Sequence, residues 1–169
     1  MVVVSILAVA TVPRMSASLA RGRLDDQCLA VVSLTRRAKA LAATEGRSYV
    51  LVIDPVDKEL RLRRRRDPLA ESDDPEDPEL ESVIDAFWAT PVKFRDDVTL
   101  VQAEQGEEAL DVTANVQVEF RQDGSAEETR LLFQGKDPRD QLVVSVDPHL
   151  GVARILTLDA EATRAGATR

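Results

Sequence analysis

The chain has 169 residues, 44% apolar and 31% charged, which is a globular composition with enough length for one domain and an appendage. Its formal charge of -8 is unevenly spread: residues 1–66 carry 13 Lys/Arg against 6 Asp/Glu, and residues 67–169 carry 9 against 24. So acidic a majority argues against a nucleic-acid wrapper, and one cysteine with one histidine rules out a disulfide framework and a Cys/His-rich metal site.

The chain opens MVVVSILAVATVPRM, twelve uncharged residues and then a proline. As a helix, residues 1–12 would rise about 18 Å, short of the roughly 30 Å hydrocarbon layer, so the run cannot span a bilayer alone. No basic leader precedes it, unlike a secretory signal. The run reads as the rear of a longer apolar helix, with a buried valine-rich strand as the plain alternative. Its candidate packing residues are Val3, Ile6, Leu7, Val9, Val12 and Pro13, and Pro13 should kink the helix or begin a new segment.

From Arg14 to Glu45 no proline interrupts, and Leu24, Cys28, Val31, Thr35, Ala38 and Ala42 recur at spacings of four and three on one face. Leu24, Cys28, Val31, Ala38 and Ala42 are therefore the candidate helix–sheet contacts, widened by Leu34 and Leu41. Asp26, Ser33, Arg36 and Arg37 fall opposite, towards solvent, and Gly46 is a C-terminal stop. Cys28 on the apolar stripe reads as a small buried hydrophobe.

Beyond Gly46 the period becomes extended. SYVLVI (48–53), the turn DPVD (54–57) and KELRLR (58–63) predict one hairpin. NVQVEF (115–120), QDGS (122–125) and TRLLF (129–133) predict a second; LVVSV (142–146), DPHLG (147–151) and VARILTL (152–158) a third. TPVKF (90–94) and DVTLVQ (97–102) are shorter candidates. The fold class is α+β: a long N-terminal helix (1–45, apolar to 13 and amphipathic from 14) on antiparallel β-sheets in a β-sandwich-type domain (46–159), with a flexible tail (160–169).

Two charge runs adjoin. RLRRRR (61–66) lies partly on a strand, where basic residues also guard an edge. DPLAESDDPEDPELE (67–81) carries eight acids and three prolines, which predicts a solvated loop folding back on the arginines. It lacks the glycine and spacing of a calcium loop, so no metal is expected. His149 sits in a proline turn, and the pairs Asp73/Asp74 and Asp96/Asp97 lie in turns; no nucleophile elbow or phosphate loop occurs. The sequence predicts no enzyme and no cofactor.

The order of parts resembles the type IV pilin-like family: an apolar helix start, a proline, RMSASLARGRLDDQCLAVVSLTRRAKALAATEGR, then SYVLVIDPVDKELRL. VEFRQDGSAEETRLLF and LVVSVDPHLGVARIL are similar to the paired C-terminal strands of its GspH/FimT-type minor pseudopilins. The resemblance covers most of the chain, residues 64–110 excepted. It implies a structural subunit of the type II secretion pseudopilus, held in the inner membrane by a single helix with its globular part in the periplasm. The implied partners are other pseudopilin or pilin subunits through the helix, the membrane, and a prepilin peptidase if the true start lies upstream. Family members read F-T-L-x-E before such an apolar run, so Met1 is expected to fall inside the mature helix. Alternatives are a minor pilin of a type IV pilus or DNA-uptake machine, and a soluble binding module whose apolar start packs on its own sheet.

Overall fold

The computed structural model describes residues 2–65, 80–82 and 90–157, with side chains described for 21–65 and 90–157. Residues 67–79 of the acidic segment, Asp73 and Asp74 among them, lie outside the described residues, as do Arg66 and the tail from 158.

One helix, α1 (Val2–Glu45), leads the chain. At about 1.5 Å per residue it is about 66 Å long, against about 24 Å for a seven-residue strand. It runs unbroken through Pro13 and Gly22, so Pro13 does not begin a new segment. A single proline removes one backbone donor, and the bonds on either side carry the helix across. Gly46, at φ +65°, ends it by donating to the Ala42 carbonyl at 3.0 Å.

Ten strands follow among the described residues: β1 (Tyr49–Asp54), β2 (Glu59–Arg65), β3 (Leu80–Ser82), β4 (Val92–Lys93), β5 (Thr99–Gln105), β6 (Glu108–Leu110), β7 (Val116–Phe120), β8 (Thr129–Gln134), β9 (Gln141–Asp147) and β10 (Val152–Leu156). They form two antiparallel sheets. The first runs β3-β2-β1-β7, with β4 also on the outer edge of β2; the second runs β10-β9-β8-β5-β6.

The hairpins β1–β2 and β9–β10 form where alternation and proline turns predict them. β7 and β8 do not form the expected second hairpin: β7 pairs with β1 in the first sheet, β8 with β5 and β9 in the second. The QDGS turn does close, with Gly124 at φ +82° donating to the Arg121 carbonyl at 2.9 Å. After one bridge, Phe120 to Ala126, the Ala126 N–H turns to the Pro148 carbonyl at 2.9 Å and draws the chain across. Alternating burial suits either sheet, so the pattern alone could not tell a hairpin from a crossover. The β5–β6 hairpin, closed by Gly106 at φ +61°, was not expected, because its EQGEE turn carries charge rather than strand-forming residues.

The core lies between α1 and the two sheets. Leu24, Cys28, Val31, Val32, Leu34, Ala38 and Ala42 of α1 meet Leu51, Ile53, Leu60, Val118, Phe120, Leu131, Phe133, Val144 and Val146. Cys28, Ala38 and Ala42 are small, so the helix backbone sits close on the strands; the larger partners contribute about 1.5–3 kcal/mol each on full burial. Phe94 packs edge-on to Phe133, ring centres 5.9 Å apart. Thr35 is fully buried and donates its hydroxyl to the Val32 carbonyl at 2.8 Å.

Candidate assembly surface on the long helix

The part of α1 whose side chains are described is tied at both ends. At its N-terminal end Arg23 Nη1 donates to Asp97 Oδ2 at 2.9 Å, and Arg21 lies 3.9 Å from Asp140 in the β8–β9 loop. The Arg23 hydrogen bond holds the Asp97 carboxyl below the usual carboxylate range, which accounts for one member of the Asp96/Asp97 pair. At the C-terminal end Lys39 Nζ donates to the Leu150 carbonyl in the β9–β10 turn. The Tyr49 hydroxyl donates to Glu45 Oε2 at 2.6 Å, with Arg64 4.0 Å from the same carboxylate. Burial, reinforced by Glu45, pushes the Tyr49 phenol up to about 12.

Of the residues singled out for helix–sheet packing, Leu24, Cys28, Val31, Ala38 and Ala42 are all at most 1% exposed and share one core. Val3, Ile6, Leu7, Val9, Val12 and Pro13 lie on α1. Their side chains fall outside the described residues. Burial lifts the Cys28 thiol to about 12, so it is a packing group and not a nucleophile.

Gln27 is a residue that pattern reading missed, since a polar side chain one position from Cys28 looks like the edge of the stripe. It is only 4% exposed. Its Oε1 accepts from the Arg95 N–H at 3.3 Å, which fixes the amide orientation, and its Nε2 is buried with no hydrogen-bond partner among the described residues. It borders an open groove of about 760 Å³ between α1 and the segment from Val92 to Asp97. Charges of both signs line that groove, among them Arg23, Asp26, Lys93, Arg95 and Asp96.

The arginine run serves the first sheet. Arg61 lies 2.8 Å from Glu59 and 3.8 Å from Asp57, and Arg65 Nη2 donates to Glu119 Oε2 at 3.0 Å across β1. Val50 and Val52 are buried on the outer face of β1, aligned with Arg63 and Arg61. Arg64 and Arg65 pair through their backbones with Glu81 and Leu80, so the last residues of the expected acidic loop form an edge strand. The charges shown on the run belong to this scaffold.

His149 is exposed in its turn, with its backbone N–H donating to Asp147 Oδ1 at 3.0 Å. Among the described residues no group of three or more His, Cys, Asp or Glu could hold a metal ion. No helix among them is long and apolar enough to cross a membrane.

A single long helix packed through its C-terminal part on two antiparallel sheets defines the class: this is a pilin-like α+β fold. Two solved structures of the minor pseudopilin EpsH from the type 2 secretion system of Vibrio cholerae match it. One has TM-score 0.60 at 13% identity, covering 80% of this chain and 96% of EpsH; the other has 0.61 at 14%, covering 81% and 95%. The type IV minor pilin FimU of Pseudomonas aeruginosa matches with TM-score 0.50 at 14% identity, covering 83% and 92%. No protein-family model matches the sequence, and no curated protein matches it.

Proposed function

We propose that the chain is a minor pseudopilin, a structural subunit of the pseudopilus of a type II protein secretion system. The observation that carries this reading is a helix of 44 residues whose C-terminal part is committed to the core while its first eleven positions, Val2–Val12, are all uncharged. A globular domain of this size needs only the packed part. Too short to span a bilayer by itself, the apolar start then serves as part of the membrane segment of a single-pass inner-membrane protein and afterwards as the filament-packing segment, with the sheets in the periplasm. Its partners are other pseudopilin subunits, met through Val3, Ile6, Leu7, Val9 and Val12. The likeness to EpsH supports the type II assignment; the likeness to FimU supports a type IV minor pilin as the second reading.

The test is fractionation of the full chain in a bacterium carrying a type II system. Wild-type protein is expected in the membrane fraction, and Ile6→Lys, a charge in the middle of the uncharged run, should shift at least about tenfold more of it into the soluble fraction, since a charge within an apolar membrane segment costs up to about 2.5–3.5 kcal/mol in lipid. Wild-type protein that is wholly soluble sinks the proposal.

A further inference from the structure

The groove between α1 and the segment from Val92 to Asp97 is built around one unanswered donor. Arg95 N–H fixes the Gln27 amide by donating to Oε1, and Nε2 of the same amide is buried without a hydrogen-bond partner among the described residues. Turning the amide over would take the acceptor from Arg95, so it exchanges one unpaired group for another. A buried donor in that state carries its desolvation cost until an acceptor reaches it.

The wall opposite the helix is extended chain. Phe94 N–H donates to the Lys58 carbonyl beside β2, and the next N–H, of Arg95, turns the other way to Gln27. Half-buried Ala30 and Val92, with buried Phe94, give the groove an apolar lining. Around it stand the exposed charges of Arg23, Asp26, Lys93, Arg95 and Asp96. Charges of both signs disfavour a ligand of one sign: the acids repel a phosphate or an acidic lipid surface, and the three cations repel a metal ion. An apolar lining inside a polar rim is the anatomy of a contact between proteins, and a neutral main-chain carbonyl is the acceptor that costs least to bury against Nε2. An open groove of about 760 Å³ has room for a few residues of extended chain.

We propose that this groove seats an extended segment of a different pilin-like subunit, whose main-chain carbonyl accepts from Gln27 Nε2 while its charged side chains meet Arg95 and Asp96. Arg23 stands eleven positions beyond Val12 on one unbroken helix, about 16 Å, so a subunit packed along the apolar start brings its own chain to that level. The occupant is a non-identical subunit, because a minor component has few copies of itself for neighbours. The assignment rests on the filament-subunit reading and adds to it the site and chemistry of one contact.

The full chain with photo-reactive benzoylphenylalanine in place of Lys93, expressed in a bacterium carrying a type II system, tests the contact; the same group in place of Gln102, exposed on the second sheet, is the reference. Irradiation is expected to give, from position 93 and not from 102, an adduct that mass spectrometry identifies as a different pilin-like subunit. Ala30→Trp fills the groove from a half-buried position and should cut that adduct at least about tenfold, whereas Ser33→Trp, exposed on α1 outside the groove, should leave it. Gln27→Glu keeps the oxygen that Arg95 N–H needs and sets an acceptor against the partner's carbonyl, so it too should lose the adduct. Ala30→Trp at the wild-type urea midpoint makes the loss independent of folding. An adduct with a second copy alone, with a protein lacking the pilin-like fold, or undiminished by Ala30→Trp overturns the proposal. No adduct, while amine cross-linking still ties the chain to other pilin-like subunits, overturns it and leaves the filament-subunit reading standing. A chain that amine cross-linking in membranes ties to no pilin-like subunit overturns both.

Discussion

Gly151 is the point where both sheets and the helix converge, and its replacement by alanine offers the most discriminating test of this packing. It lies in the β9–β10 turn at φ +55°, a conformation that costs a residue with a Cβ roughly 1–2 kcal/mol. A Cβ built there would stand 2.3 Å from the Gly124 carbonyl oxygen, which belongs to the turn after β7. The obstacle is backbone, so relief requires separating the two turns. That movement strains the Ala126 N–H to Pro148 bond and the Lys39 contact with Leu150, and overpacking of this kind costs about 1–3 kcal/mol. Together the two effects predict a loss of about 2–5 kcal/mol for Gly151→Ala.

Gly106 supplies the control. Its φ of +61° matches, but a Cβ there meets nothing within 4 Å. Gly106→Ala should therefore cost only the backbone strain, about 1–2 kcal/mol, offset in part by the lower entropy of the unfolded chain. Urea unfolding of both variants against wild type, at unchanged denaturant slope, isolates the steric contribution. Equal losses, within about 0.5 kcal/mol, would refute the close approach of the two turns.

Two further outcomes follow from single-copy residues, which make the readouts unambiguous. Cys28 is the sole cysteine; iodoacetamide at mild alkaline pH should leave it unmodified in the native chain and label it fully in urea, and native-state labelling at the rate of a free thiol would contradict its burial. Tyr49 is the sole tyrosine, and absorbance titration should show its phenol ionising near pH 12 in the folded chain. Its folded pKa is raised, so its contribution is whole below about pH 10 and is lost as pH rises towards 12. Tyr49→Phe, which leaves Glu45 without its donor, should destabilise by about 1 kcal/mol at neutral pH.

The helix was legible because its signals are local. The stripe from Leu24 to Ala42, the charged residues opposite and the glycine stop each depend only on spacing along one element. The strands were legible for the same reason, down to proline turns that place β1–β2 and β9–β10. What failed was pairing: β7 and β8 alternate as a hairpin should, yet Ala126 finds the Pro148 carbonyl instead of continuing the ladder. Gln27 was hidden because its value lies in a non-local partner, the Arg95 N–H, which no pattern near residue 27 announces.

By itself the sequence determined the fold class, the buried face of the helix and most strands, because hydrophobic period and turn chemistry are written within a few residues of each other. It also marked the arginine run and the acidic segment that follows it. Only the tertiary structure decided which sheet each strand joins. It alone shows that arginines of β2 are engaged by Glu59 and Glu119. Those outcomes depend on contacts between residues far apart in the chain, where backbone hydrogen bonds and the close approach of turns select among pairings that local pattern leaves equal.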